Sequence, residues 1–192
     1  MTIINKKELR KEILRKRQVM DAIEKEKADN KITDEFLKTD YYKKAENIFI
    51  YVSYDSEINT KGIINRALSD NKKIYVPRTD FKTKNMDAVE IISLGELMEN
   101  SYGILEPSIE KTSINPNNLD LIVVPGVAFD RNGGRMGYGA GFYDRYFKKL
   151  SNKKIKKLVL AYDLQVVAEV PMEECDVPVD YIITEEEFIG CP

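Results

Sequence analysis

The chain of 192 residues contains no histidine and only two cysteines, Cys175 and Cys191. Without histidine it can build neither a histidine-based catalytic triad nor a zinc site with imidazole ligands, so acid and base chemistry must come from carboxylates, lysine, tyrosine or the substrate itself. Two cysteines are too few for a disulfide framework and lack metal-site spacing, which predicts free thiols. Apolar runs of the ~20 residues that cross a bilayer are absent, as is the apolar core of a signal peptide. The sequence therefore predicts a cytoplasmic protein without a membrane partner.

The C-terminal part of the chain lacks basic residues, because no lysine or arginine follows Lys157. At the N-terminal end, by contrast, basic residues are crowded. The net charge is only −2, which gives no general reason to expect nucleic acid as a partner. Residues 1–35 also contain no aromatic side chain that could stack on bases. The cations at the start form either a solvated helix face or, because Lys6 and Arg10 project from one side of a helix, a grip for a polyphosphate. The basic residues in question are Lys6, Lys7, Arg10, Lys11, Arg15, Lys16 and Arg17.

The order of helical and extended segments predicts one α/β domain over residues 1–192. Residues 5–30 lack glycine and proline and carry apolar residues at helical spacing, which predicts one long helix. Strands alternating with helices favour a layered α/β fold with a mainly parallel sheet flanked by helices. Further helices are predicted at 34–45, 59–71, 95–100 and 142–150, and strands at 47–53, 73–77, 88–93, 121–124, 157–162 and 181–184.

A glycine-rich segment between Val124 and Arg145 holds six of the ten glycines of the chain. A predicted strand enters it and a predicted helix leaves it, an arrangement in which free backbone N–H groups and a helix N-terminus hold an anion such as phosphate. The segment lacks the Gly-Lys-Ser/Thr ending of a Walker A loop, and its G-x-G-x-G run does not match a dinucleotide fingerprint. A tight crossover between strand and helix is the alternative. Arg135 inside the segment favours phosphate, because its planar fork suits phosphate oxygens.

Carboxylates near predicted ligand-facing turns each have two interpretations. Asp144 stands in the first turn of the helix after the glycine segment, where it either stabilises the positive helix end or binds Mg²⁺. Glu57 follows a strand and either caps the next helix or faces the ligand crevice. Asp176 and Asp180 flank Pro178, where they either shape a turn or supply a second carboxylate for Mg²⁺.

The run from Pro125 to Arg145 resembles the signature of the 5-formyltetrahydrofolate cyclo-ligase family, also called 5,10-methenyltetrahydrofolate synthetases. Other motifs agree in order along nearly the whole chain. They are Lys6-x-x-Leu9-Arg10, Ser56-Glu57-Ile58 followed by Val76-Pro77-Arg78, and Asp176-x-Pro-x-Asp180 before Ile183-Thr184-Glu185. The resemblance implies a Rossmann-like layered fold and an ATP-dependent enzyme. The activity it implies is closure of 5-formyltetrahydrofolate to 5,10-methenyltetrahydrofolate, with release of ADP and phosphate.

The resemblance also implies where the substrates and the metal ion bind, and that Arg135, Lys6 and Arg10 act in catalysis. Two residues, Asp144 and Asp176, are implied ligands of Mg²⁺. The implied folate contacts are Val52, Glu57, Tyr138, Gly139, Ala140, Gly141 and Phe142. The implied ATP contacts are Lys6, Lys7, Glu8, Leu9, Arg10, Arg135, Met136, Gly137, Tyr138, Gly139, Ala140, Gly141, Phe142 and Tyr143.

Two positions depart from similar sequences, which often carry lysine in place of Ala140 and histidine in place of Cys175. Loss of the lysine removes one cation from the glycine segment, so Lys6 and Arg10 must contribute more. We expect 5-formyltetrahydrofolate and ATP as partners, no nucleic acid, and a monomer or weak dimer. The rival hypotheses are a nucleotide-binding paralogue without folate activity and a non-catalytic RNA-associated protein.

Overall fold

The computed structural model of the protein describes residues 5–192. Within this range the helices are α1 (Lys6–Gln18), α2 (Ala22–Lys38), α3 (Asp40–Lys44), α4 (Lys61–Ser69) and α5 (Phe142–Phe147). The first strands are β1 (Asn47–Ile50), β2 (Lys73–Asp80), β3 (Asn85–Ile91), β4 (Met98–Glu99), β5 (Leu105–Glu106) and β6 (Leu121–Val124). They are followed by β7 (Ala128–Phe129), β8 (Arg135–Met136), β9 (Lys156–Leu160), β10 (Tyr181–Ile183) and β11 (Phe188–Gly190).

Seven strands form one sheet in the order β11-β10-β9-β6-β1-β2-β3. The five central strands, from β10 to β2, pair in parallel, whereas the outer strands β3 and β11 run antiparallel to their neighbours. This arrangement confirms the predicted α/β fold with a mainly parallel sheet flanked by helices.

Both faces of the sheet are covered, because alternate residues of each strand point to opposite sides. On β1, Ile48 and Ile50 pack with Phe36 of α2 in one apolar cluster. Phe49, between them, packs with Tyr146 of α5 in a second cluster. Each of these side chains is at most 1% exposed, and burial of such a side chain contributes about 1.5–3 kcal/mol.

The helices are shorter than predicted. The continuous helix expected over residues 5–30 is wrong, because α1 ends at Gln18 and the side chain of Asp21 accepts hydrogen bonds from the N–H groups of Ile23 and Glu24 to begin α2. The Thr39 hydroxyl likewise separates α2 from α3 by accepting from Tyr42 N–H. The helix expected at 95–100 is a single 3₁₀ turn, Leu94–Glu96, followed by a strand. No helix among residues 5–192 is long and apolar enough to cross a membrane.

The strands β1 and β6 lie side by side and parallel at the point where the chain order reverses across the sheet. The chain continues from β1 to β2 on one side, and from β6 to β9 on the other. In open α/β sheets, ligands bind beyond the carboxyl ends of the strands at such a point. Strand β1 ends at Ile50 rather than at residue 53 as predicted, so Tyr51 and Val52 lie beyond its carboxyl end, as Pro125 does beyond that of β6.

Candidate active site

A cavity of about 870 Å³ opens beyond the carboxyl ends of β1 and β6. It is bordered by α1, by the turn after β1, by the β2–β3 hairpin and by the glycine segment before α5. The structure therefore brings together parts of the chain that are far apart in sequence. The predicted site residues that line this cavity are Lys6, Arg10, Val52, Glu57, Arg135, Met136, Gly137, Tyr138, Gly139, Ala140, Gly141, Phe142, Tyr143, Asp144 and Asp176.

Three residues with an implied ATP contact lie elsewhere. Lys7 and Glu8 are exposed on α1. Leu9 is 6% exposed and packs against Val127 and Met136 in an apolar cluster beneath α1. This burial anchors the helix that carries Lys6 and Arg10, and the contact of Lys7, Glu8 and Leu9 with ATP stays a prediction.

The glycine segment combines the two interpretations that the sequence left open. A Cβ atom on Gly126 would lie 2.6 Å from the ring of Phe129, and one on Gly133 would lie 2.6 Å from the carbonyl oxygen of Val179. These glycines are required by packing within the β7–β8 hairpin region. By contrast, Gly139 and Gly141 line the cavity with φ angles of +105° and +68°, which L-residues rarely adopt. The half of the segment after β8 thus presents its backbone to the cavity.

Arg135 is a buried cation at the cavity wall, 5% exposed. Its Nη2 donates to Asp144 Oδ1 over 2.7 Å, and Asp144 Oδ1 also accepts from Val177 N–H. The Nε–H of Arg135 is buried with no hydrogen-bond partner among the described residues. A buried donor without a partner is costly, and this one, on a cation at the cavity wall, marks Arg135 as a candidate anion-binding residue.

Lys6 extends from the first turn of α1 to the loop before β10. Its ammonium lies 2.9 Å from Asp176 Oδ2 and 2.8 Å from Glu173 Oε1. Burial alone would raise the pKa of Asp176, but hydrogen bonds from Glu173 N–H and Lys6 hold it below its usual range. Asp180 lies outside this group, because its carboxylate accepts from Lys157 N–H at the start of β9. Of the two acids flanking Pro178, only Asp176 lines the cavity.

The carboxylates Asp144 and Asp176 fit the donor pattern of a Mg²⁺ site that is completed by phosphate. Each has one oxygen that forms no hydrogen bond or ion pair within residues 5–192. Within the same residues, no cluster of three or more potential protein ligands is present. Mg²⁺ typically binds through one or two carboxylates together with substrate phosphates, so the absence of a larger cluster agrees with this kind of site.

Glu57 faces the cavity and does not cap α4. Its Oε2 accepts from Tyr54 N–H over 2.9 Å, and its Oε1 accepts from the Tyr138 hydroxyl over 2.7 Å. Tyr138 in turn accepts from Arg17 of α1 over 3.1 Å. The sequence interpretation missed Arg17, although a signal was present: Leu9, Ile13 and Arg17 recur at helical spacing, which places the arginine on the buried face.

Aromatic rings border another part of the cavity. Phe142 packs edge-on against Phe81 with 5.3 Å between ring centroids, and Arg145 lies over the Phe142 ring. Phe129, by contrast, is fully buried in the core. Phe81 was not expected, because the predicted strand ended at residue 77, whereas β2 continues to Asp80 and places Phe81 at the tip of the β2–β3 hairpin.

Comparison with known proteins identifies relatives of this chain. The 5-formyltetrahydrofolate cyclo-ligase family model matches residues 2–185. A Haemophilus influenzae protein named 5-formyltetrahydrofolate cyclo-ligase is 34% identical over 180 residues, covering 93% of this chain and 96% of its own. A Mus musculus protein of the same name is 29% identical over 94% of both chains. The NMR structure of Aquifex aeolicus 5,10-methenyltetrahydrofolate synthetase matches with a TM-score of 0.84 and 30% identity, covering 96% of this chain and 92% of that one. The chain therefore belongs to the 5-formyltetrahydrofolate cyclo-ligase family of enzymes.

Proposed function

We propose that this enzyme closes 5-formyltetrahydrofolate to 5,10-methenyltetrahydrofolate in a reaction that consumes ATP, depends on Mg²⁺ and releases ADP and phosphate. The observation that carries the proposal is the shared cavity. It joins the buried guanidinium of Arg135, which has an N–H without a partner, to the carboxylates Asp144 and Asp176 and to the separate acid Glu57. Arg135, Asp144 and Asp176 have the charges needed to bind a polyphosphate together with its cation. Glu57 can accept hydrogen bonds from a ring that carries N–H donors.

The reaction requires activation of a formamide, which is a poor electrophile. The formyl oxygen attacks the γ-phosphorus of ATP, the bond to ADP breaks, and an imidoyl phosphate forms. N10 of the folate then attacks the formyl carbon and loses its proton, and the carbon–oxygen bond breaks as phosphate leaves. The product is the methenyl cation bridging N5 and N10. No protein nucleophile is needed, which suits a chain without histidine.

Positioning and charge stabilisation are then the tasks of the protein. Arg135 lies in the wall where its N–H groups meet an anion, and Lys6 and Arg10 approach from α1. The Nε of Arg10 donates to the Gly137 carbonyl over 3.0 Å, which holds the helix against the glycine segment. Asp144 and Asp176 would hold Mg²⁺, which would supply positive charge next to the phosphates.

The folate would lie on the Glu57 side of the cavity. Val52 provides apolar surface there, and the ring of Phe142 would meet the folate from another part of the cavity wall. The Glu57 carboxylate would accept hydrogen bonds from N–H groups of the pterin or guide N10. Burial raises the pKa of Glu57 above its ordinary value of 4.5 despite the hydrogen bonds from Tyr54 and Tyr138. The pKa of Glu57 is therefore sensitive to the charge of a ligand that binds beside it.

The test is a spectrophotometric assay for the methenyl chromophore after the protein is mixed with ATP, Mg²⁺ and 5-formyltetrahydrofolate. Signal that requires all three supports the proposal. In this assay Arg131→Ala is the matched control for Arg135→Ala, since Arg131 is exposed on the same hairpin and pairs with Glu187. ATP hydrolysis or nucleotide binding without the chromophore would instead favour a paralogue lacking folate activity. Salt-sensitive RNA binding that survives Arg135→Ala would favour the RNA-associated alternative.

A further inference from the structure

Arg17 is a cation on the apolar face of α1. It is 3% exposed and follows Leu9 and Ile13 at intervals of four residues, so its position is one where an amphipathic helix normally carries an apolar side chain. Burial of a charged group is costly unless it is paired. Within residues 5–192, no carboxylate lies within ion-pair distance of Arg17.

The partners of Arg17 belong to the turn after β1 and to the glycine segment. Nη1 donates to the Tyr138 hydroxyl over 3.1 Å and to the Gly126 carbonyl over 3.4 Å, and Nη2 donates to Ser56 Oγ over 3.0 Å. Ser56 immediately precedes Glu57, and Tyr138 donates to Glu57 Oε1 over 2.7 Å. One buried guanidinium thus reaches Glu57 from two directions, through the turn that carries it and through the phenol that contacts its carboxylate.

The charged and titratable groups around Glu57 come from several elements. Burial raises the pKa of Glu57, the hydrogen bonds from Tyr54 N–H and Tyr138 and the Arg17 charge oppose that rise, and Asp55 adds to it. From α2, the Lys25 ammonium donates to the Glu57 carbonyl rather than to its carboxylate. The hydroxyls of Tyr51 and Tyr143 are also close enough to Glu57 for its charge to raise their pKa values further, above what burial alone produces.

We propose that Arg17 is a positioning residue for the folate half of the reaction, which acts through Tyr138 to hold the Glu57 carboxylate oriented toward the pterin. This inference rests on the proposed function. Lys6 and Arg10 of the same helix contact other groups, so the folate half and the ATP half are separable by substitution. A purely structural arginine would lower the amount of active enzyme, and so the apparent kcat, without raising KM for one substrate alone.

The test compares the steady-state kinetics of Arg17→Met and Arg17→Lys with those of Arg15→Met, a control on the exposed face of the same helix. Loss of a hydrogen bond in a charged network corresponds to about a 10- to 100-fold effect. We expect Arg17→Met to raise KM for 5-formyltetrahydrofolate by this factor, with KM for ATP changed less than about twofold. Because the Arg17 charge lowers the pKa of Glu57, the acid limb of the pH profile of kcat/KM should move to higher pH in Arg17→Met. It should return toward the wild-type position in Arg17→Lys, which keeps the charge.

A double-mutant cycle that combines Arg17→Met with Tyr138→Phe shows whether Arg17 acts on Glu57 through the Tyr138 hydroxyl. If Arg17 acts through the phenol, Arg17→Met adds less than about twofold to the KM effect in the Tyr138→Phe background. Effects that multiply, or equal losses for both substrates, would overturn the inference. If Arg17→Met does not fold, Tyr138→Phe carries the test: it should raise KM for 5-formyltetrahydrofolate with KM for ATP changed less than about twofold, and equal changes in both would overturn the inference. If the wild-type protein lacks cyclo-ligase activity, the proposed function fails, and calorimetric binding of 5-formyltetrahydrofolate then tests Arg17 separately. Equal affinity of wild type and Arg17→Met would reject its role.

Discussion

Asp130 holds the turn of the β7–β8 hairpin that places Arg135 in the cavity wall, and its removal is a quantitative test of the structure. The side chain is buried, with the residue 3% exposed. Oδ1 accepts from the N–H groups of Asn132 and Gly134, both over 2.9 Å, and Oδ2 accepts from Val170 N–H over 2.7 Å. Asp130 belongs to the signature run from Pro125 to Arg145, and its role there is structural.

Two opposing effects decide the cost of Asp130→Asn. The amide keeps one acceptor oxygen but turns its NH₂ group toward a buried N–H, which leaves that donor unsatisfied at a cost of about 1–3 kcal/mol. Against this, the amide avoids burying a charge that has no cation within ion-pair distance among the described residues. Because the carboxylate accepts three N–H bonds, we expect the hydrogen bonds to dominate. Asp130→Asn should lose about 2 kcal/mol, and Asp130→Ala, which leaves two buried donors without a partner, about 2–6 kcal/mol.

Urea unfolding measures the difference. With a slope of about 2 kcal/mol/M, a loss of about 2 kcal/mol lowers the midpoint by about 1 M. Asp80→Asn is the control, because Asp80 accepts from the N–H groups of Lys82 and Thr83 in an exposed turn and should lose less than about 1 kcal/mol when substituted. An unchanged or higher midpoint for Asp130→Asn would show that desolvation outweighs the hydrogen bonds and would refute the reasoning.

Three further predictions concern single side chains. Arg135→Ala should lower turnover by about 100- to 1,000-fold while circular dichroism stays unchanged; near-normal kinetics would remove Arg135 from phosphoryl transfer. Tyr143→Phe should leave the free energy of unfolding within about 0.5 kcal/mol, because the buried hydroxyl has no partner among the described residues. It should nevertheless raise KM for a substrate, whereas Tyr146→Phe, which also lacks a partner but does not line the cavity, should not. Glu96 has a pKa held below its ordinary value of 4.5, since hydrogen bonds from Lys111 and the N–H groups of Ile92 and Ser93 outweigh burial. Its contribution is present above pH 4.5 and is lost as the pH falls through the lowered pKa, so the destabilisation by Glu96→Gln, about 1 kcal/mol at pH 7, should shrink toward pH 3.

The alternation of elements and the ordered motifs were sufficient to predict the fold, and they also named part of the cavity wall, chiefly the residues from Arg135 to Asp144. Buried parallel strands such as Leu121–Val124 are recognisable as apolar runs without any tertiary information. Arg135 and Asp176 converge because they lie in the connections that leave β6 and β9 at the carboxyl edge of the sheet.

Other features depend on contacts between distant segments. The break between α1 and α2 has neither glycine nor proline, and Asp21 signals it only weakly because an acid is also common inside helices. The short β7–β8 pair exists because Asp130 organises the turn between its strands, which composition does not reveal. Arg17 is recognised as part of the site only when Tyr138 and Ser56 are seen beside it. Glu57 had two interpretations in sequence, and its contacts with Tyr138 and Tyr54 show that it faces the cavity.

Helix α1 carries cations for both proposed halves of the site on one uninterrupted element, from Lys6 at its start to Arg17 near its end. Eleven residues of α-helix span about 16 Å, and each residue turns the helix by about 100°. An insertion or deletion of one residue between Arg10 and Arg17 would rotate one of them away from its partner while the other stayed engaged. Three or four added residues would nearly restore the angle but displace one end by about 5 Å. The length of α1 is therefore a fixed spacer in this enzyme: it tolerates substitutions on its exposed face but not changes in residue number.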